Sequence, residues 1–187
     1  MKVVETAYGG YRFRSRLEAR WAVFLDALNI GFRYEPEGFD LGALGWYLPD
    51  FWLPRIALWL EIKPTFPRRD EIEKVRALAN VTAQPAAICH GALHPPSGDP
   101  WELAAAPGEE SPAATAIMCW PDGTYSGLFW WCECPRCGVV GLEHLGDAVL
   151  LCDQCWAGAR ESQPAQAAAR IVTAFEAARR ARFEFAR

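Results

Sequence analysis

Two short segments, residues 46–53 and 56–63, are apolar on both parities, and they restrict what this chain can build more than any other feature. In the first, Trp46, Leu48 and Trp52 share one parity, and Tyr47, Phe51 and Leu53 the other. A strand that is apolar on both faces has to be covered on both faces. The pair therefore predicts central strands of a sheet with helices packed against it. Pro49 sits inside the first segment. Proline removes a ladder donor, so an edge, a bulge or a bend is expected there. Three charged residues, Asp50, Glu61 and Lys63, interrupt these apolar runs. A buried charge without a partner is costly, so each needs a reason.

Alternation supplies part of it. Glu61 and Lys63 share a strand face with Trp59, about 7 Å apart, while Leu58, Leu60 and Ile62 take the other face. If Asp50 lies opposite on the neighbouring strand, two carboxylates converge beside an ammonium. Carboxylate oxygens suit Mg²⁺ or Mn²⁺. Such a cation stabilises a pentavalent phosphate and acidifies a bound water, and the lysine can position that water and offset the phosphorane charge. The set reads as a metal-dependent phosphodiesterase. The plainer alternative is that Asp50 is a turn residue after proline and Lys63 simply pairs with Glu61 at a strand end.

Helical spacing of Leu17, Trp21, Phe24, Leu25 and Leu28 predicts a helix over 15–29, opened by Ser15 with Glu18 three residues on and stopped at Asn29-Ile30-Gly31. On that helix Glu18 lies about 20° from Leu25, at the border of the apolar face, which makes it a candidate third carboxylate. A short strand over 31–35, a helix over 68–80 and a buried strand over 85–90 follow. The predicted order α-β-β-β-α-β is a compact α/β (α+β) core spanning 1–113, with a loop insertion near 91–112 rich in Pro, Gly and Ala. Residues 114–187 predict a hairpin around Pro121-Asp122-Gly123, a cysteine module over 132–156 and a last helix over 164–185 carrying Ile171, Val172, Phe175 and Ala178.

Pro49-Asp50, ten intervening residues, then Glu61-Ile62-Lys63 resembles the PD-(D/E)XK nuclease superfamily. The upstream helix with Glu18, within Phe13-Arg14-Ser15-Arg16-Leu17-Glu18-Ala19, is also similar to that superfamily. The resemblance covers roughly residues 8–90. It implies a restriction-endonuclease-like αβββαβ core, divalent-metal catalysis and hydrolysis of DNA. By position, Asp50 and Glu61 are then metal ligands with the Ile62 carbonyl, Lys63 is the catalytic lysine, and Glu18 is the accessory carboxylate. The scaffold serves restriction, repair, recombination and junction resolution, so the DNA form is not fixed by the fold.

Cys134-Pro135-Arg136-Cys137-Gly138 and Cys152-Asp153-Gln154-Cys155 form two CxxC pairs with 14 residues between them. Four thiolates at that spacing suit tetrahedral, structural Zn²⁺. The module resembles a zinc ribbon. Cys132 is a spare fifth thiol, and His144 lies between the pairs. His90 and His94 flank a strand end, where an accommodated histidine is commoner than a ligand. Cys89 and Cys119 read as packed thiols, and Trp130 and Trp131 as packing rather than base-stacking residues.

The net charge of −4 is unevenly spread. Residues 1–63 sum to zero, 64–155 to −7 and 156–187 to +3. Contacts to DNA phosphate should then use the N-terminal arginines Arg12, Arg14 and Arg16 and the C-terminal tail Arg179-Arg180-Ala181-Arg182. If the ribbon also contacts DNA, Arg136 at the knuckle tip is its candidate residue. So little basic charge grips DNA weakly, which makes a homodimer or structure-selective binding an expected arrangement. No apolar run reaches the ~18 residues of a membrane span, and the N-terminus lacks a signal-peptide pattern, so no membrane partner and a cytoplasmic location are expected. Two other function classes stay open: a nuclease-like fold that binds nucleic acid without cutting it, and a structural or partner-binding protein.

Overall fold

In the computed structural model, residues 4–95, 107–110, 113–134, 137–144, 147–149 and 168–183 are described. The chain opens with a hairpin, β1 (Thr6–Tyr8) and β2 (Tyr11–Phe13). Its turn is Gly9-Gly10, both at positive φ (58° and 85°), the conformation a tight two-residue hairpin requires. Helix α1 (Arg16–Ala27) follows. Ser15 caps it: its Oγ accepts the Glu18 N–H at 3.2 Å and donates to Glu18 Oε1 at 2.7 Å. Asn29 ends the helix at φ 57°, and the Ile30 amide donates back to Leu25 O at 2.9 Å.

The predicted strand over 31–35 is only two residues, β3 (Arg33–Tyr34). The predicted continuous strand over 46–53 is divided. Trp46–Tyr47 (β5) pairs with Phe39–Asp40 (β4) in a separate hairpin, while Phe51–Leu53 (β6) joins the main sheet. Pro49 is the physical reason, because it cannot donate to either ladder and pushes the chain out of both. Strand β7 (Leu58–Lys63) runs antiparallel to β6 and parallel to β8 (Ala86–His90), the crossover being helix α2 (Arg69–Thr82). The sheet continues through β9 (Thr115–Cys119), β10 (Tyr125–Glu133), β11 (Val140–His144) and β12 (Asp147–Val149). It has eight strands in the order β12-β11-β10-β9-β8-β7-β6-β3. The ladder therefore runs unbroken from the segment before residue 113 into the segment after it. The expected hairpin at 121–123 is the β9–β10 turn, where Asp122 Oδ1 accepts from the Thr124 amide at 2.8 Å. The architecture is mixed α+β, with three α-helices among the described residues.

Helix and sheet faces sort as the alternation predicts. Leu58, Leu60 and Ile62 pack with Trp21, Phe24 and Leu25 of α1 and with helix α3 (Ala169–Arg180). Trp59 takes the opposite face, with Val75, Leu78 and Ala79 of α2. Phe24 and Phe175 have ring centroids 4.3 Å apart, which ties the first helix to the last. Arg170 adds a polar tie, its Nη2 donating to Leu28 O at the open end of α1 and its Nη1 to Gly138 O at 3.3 Å. The first predicted core helix is thus half a sandwich with a segment more than 140 residues away. Among the described residues, no helix is long and apolar enough to cross a membrane.

His90 ends β8 and is 2 % exposed. Its Nε2 lies 3.3 Å from Thr115 Oγ1, and its Nδ1 has no partner among the described residues. Burial pushes the imidazole pKa down to about 4. The unfolded chain titrates this group near ~6.5, so it binds more protons than the folded chain between those values. Stability from this group is therefore complete above pH ~6.5 and is lost as pH falls toward the folded pKa, by up to about 3 kcal/mol. His90→Gln is expected to flatten the fall in urea-unfolding free energy between pH 6.5 and 4.5. An identical slope in both proteins would remove His90 as a source of acid sensitivity.

Candidate functional site

The candidate acidic residues meet at one end of the sheet. The register pairs Phe51 with Leu60, so Asp50 stands one step beyond that pair, beside Glu61. Its Oδ2 accepts the Ile62 N–H at 2.8 Å and its Oδ1 accepts from Arg14 Nη2 at 2.8 Å. The break at Pro49 is what frees Asp50 to fold back onto the β7 backbone rather than extend a ladder. Glu61 and Lys63 project together from the opposite strand, as alternation requires, with Lys63 Nζ 2.8 Å from Glu61 Oε1. Lys63 also lies 3.6 Å from Glu71 Oε1. Glu71 belongs to the first turn of α2, where its other oxygen accepts the Arg68 amide at 2.8 Å.

Glu18 comes from the first turn of α1. Besides its contacts with Ser15, its Oε2 accepts from the Tyr34 hydroxyl at 2.6 Å and from the Arg14 amide at 3.1 Å. The four residues that sequence reasoning singled out, Glu18, Asp50, Glu61 and Lys63, are thus gathered from α1, the β5–β6 break and β7. Of the candidate arginines, Arg14 turns inward to the cluster, Arg12 makes an exposed pair with Glu5, and Arg16 is exposed at the start of α1.

Three further residues join the cluster. Glu35 forms an ion pair with Arg14 Nε. It is a non-glycine residue at φ 43°, a left-handed backbone that costs roughly 1–2 kcal/mol. Its amide donates to Asp50 O at 2.9 Å, which holds that turn against the site. Tyr34 supplies the hydroxyl that joins Glu18 to the Arg14 backbone, accepting the Arg14 N–H at 3.0 Å. Tyr47, on the separate hairpin, places its phenol beside Glu61. None was legible as a site residue, because Tyr34 and Glu35 lie on a two-residue strand and its turn, and Tyr47 looked like core. The one available signal was Glu35-Pro36: a carboxylate just before a strand-ending proline.

The electrostatics follow from crowding. Burial pushes the Asp50 pKa well up, and the charges of Glu61 and Glu18 push it further, against the Ile62 amide and Arg14. Burial also raises Glu35, Arg14 opposes this, and Glu18 adds to the rise. Tyr47 is raised by burial first and by Glu61 second. Burial alone would lower Lys63, yet the Glu61 charge and hydrogen bond, with Asp50 and Glu71, raise it. Lys63 is therefore a held ammonium. Glu61 Oε2 is buried, and the Tyr47 phenol is the donor nearest this carboxylate besides Lys63. Acidic groups outnumber cations in the cluster.

Those donors suit a hard divalent cation. Asp50 and Glu61 offer oxygens, and burial, then the neighbouring charges of Glu61 and Glu18, raises the Asp50 pKa, a cost that a bound cation would offset. As the side chains stand, no group of three or more His, Cys, Asp or Glu residues among the described residues is arranged to hold a metal ion. Arg14 and Lys63 occupy the carboxylates instead.

At the cysteine module, Cys134 is buried and Cys137 exposed. Gly138, at φ 70°, donates its amide to Cys134 O at 2.9 Å, and Cys134 N donates to Val139 O at 2.8 Å. This is a tight turn of the kind that presents two thiolates together. Cys152, Cys155 and Arg136 lie outside the described residues, as does the His144 side chain. Cys132, next to last in β10, stands opposite Gly141, and burial, then the Glu143 charge, pushes its thiol pKa up.

Compared with family models, curated proteins and solved structures, the chain gives no match. The functional reading rests on the residues above.

The Tyr34 hydroxyl serves two partners, one of them charged. Tyr34→Phe is expected to lower the urea midpoint by the equivalent of about 1–2 kcal/mol at unchanged slope. A midpoint equal to wild type would show that the hydroxyl does not anchor Glu18 and Arg14.

Proposed function

We propose that the chain is a divalent-metal-dependent nuclease that hydrolyses DNA phosphodiester bonds on a restriction-endonuclease-like core. The observation that carries this reading is the convergence of Asp50 with the Glu61–Lys63 pair, beside Glu18. Leaving aside the separate β4–β5 hairpin, the main-sheet strands and helices follow in the order α1-β3-β6-β7-α2-β8, and this αβββαβ series supports the core assignment. Asp50, Glu61 and the Ile62 carbonyl are the groups that would hold Mg²⁺ or Mn²⁺. That ion supplies charge stabilisation for the phosphorane and an acidified water.

The remaining chemistry belongs to the side chains. The Lys63 ammonium, braced by Glu61 and Glu71, hydrogen-bonds the incoming water or a non-bridging phosphate oxygen and offsets developing negative charge. Glu18, fixed by Ser15 and Tyr34, is the accessory carboxylate at the rim. Arg12, Arg14 and Arg16 line the approach as phosphate contacts. Cys134 and Cys137, with Cys152 and Cys155, would hold a structural Zn²⁺, and Arg136 is the candidate DNA contact of that module. A homodimer would double a modest basic surface.

A second reading has one observation in its favour. Asp50 and Glu61 are each neutralised by an internal cation, which suits a fold that binds nucleic acid without cutting it. Incubation with linear duplex, single strand, flap, nick and four-way junction, each with Mg²⁺ and with Mn²⁺, separates the two. Asp50→Asn, Glu61→Gln and Lys63→Ala are each expected to lower cleavage at least about a hundredfold with the circular dichroism spectrum kept. Equal cleavage by all three variants would overturn the nuclease reading. Salt-sensitive binding with no cleavage under either metal would establish the second.

A further inference from the structure

Arg14 is placed unlike an ordinary substrate-binding arginine. Its guanidinium reaches inward, pairing Nη2 with Asp50 Oδ1 at 2.8 Å and Nε with Glu35 Oε1. The partners' side chains are 4 % and 20 % exposed, whereas the Arg14 side chain is 54 % exposed. A charged head inserted from the surface can withdraw without unpacking anything. The backbone stays fixed meanwhile, because the Arg14 amide donates both to Glu18 Oε2 and to Tyr34 Oη. The fork geometry lets one guanidinium serve two carboxylates at once.

We propose that Arg14 is a displaceable counter-ion of the acidic site. Without metal its guanidinium stands between Asp50 and Glu35 where positive charge is needed, and a divalent cation drives it out toward the substrate phosphate. This deepens the nuclease reading and rests on it. A second observation marks the same site as short of positive charge: Glu61 is buried beside Asp50, and its one cation, Lys63, is shared with Glu71. The two ligands Arg14 exchanges between, carboxylate and phosphate, are the two it binds best. The exchange couples the sites in both directions. Metal frees the guanidinium for phosphate, and phosphate on the guanidinium clears the carboxylates for metal. Arg14 is a positioning residue in this scheme, acting on the metal through Asp50 and Glu35.

The test is Mn²⁺ affinity of the full chain, saturated beforehand with Zn²⁺ and free of DNA, read from the electron paramagnetic resonance signal of free Mn²⁺. Arg14→Gln is expected to bind Mn²⁺ about fivefold to tenfold more tightly than wild type, because one competing charge is gone. Arg14→Lys, which keeps the charge but cannot bridge two carboxylates, should fall between them and serves if the glutamine variant folds poorly. Arg69→Gln, which breaks an exposed pair with Glu73, should equal wild type and so exclude a general charge effect. Unchanged affinity in both Arg14 variants would overturn the counter-ion role and leave the metal site standing. No binding by wild type, or binding that Asp50→Asn leaves intact, would overturn the site reading and the counter-ion role together.

Discussion

The site depends on one carboxylate held from two sides. Asp50 accepts the Ile62 amide on one oxygen and the Arg14 guanidinium on the other, and so joins β7, the β5–β6 break and the segment before α1. Each neighbour then has its place. Glu61 follows from the β7 register, Glu35 from the hydrogen bond its N–H donates to the Asp50 carbonyl, and Glu18 from the Arg14 backbone. A buried carboxylate in such company is unfavourable unless paired, and the pairing orders three otherwise separate stretches of chain.

Much of this was legible because it depends on period alone. Alternation put Glu61 and Lys63 on one face and Leu58, Leu60 and Ile62 on the other, and the structure divides them in that way. The 3.6 period put Glu18 at the border of α1, and it is half-buried there. What escaped was set by chain reversals. Residues 46–53 looked like one strand because every side chain in them is apolar apart from Asp50. The lost amide of Pro49 divides them into two strands in two sheets. Glu35 and Tyr47 reach the site only through those reversals, and periodicity has nothing to say about reversals. Nor did the cysteine spacing suggest that β10, β11 and β12 extend the same sheet; that follows from cross-strand pairing, which is long-range.

The two sides of the sheet carry different duties. Toward α1 and α3 the interface is aromatic and aliphatic, with Trp21, Phe24, Phe175 and Trp131 in mutual ring contact. Toward α2 the same sheet carries apolar packing at one end and Glu61, Lys63, His90 and Thr115 at the other. Polar groups are thereby kept to the sheet end where helix first turns can meet them, as Glu71 does.

The pairing of α1 with α3 has a consequence for biosynthesis. The face of Phe175 that covers Trp21 and Phe24 is made about 150 residues after them. At ~5–20 residues per second that interval is roughly eight to thirty seconds. During it the chain carries an aromatic surface with no final cover, and closing so long a loop carries a substantial entropic cost. The aromatic face of α1 therefore waits for a cover made much later, and the sandwich closes only once α3 has been synthesised.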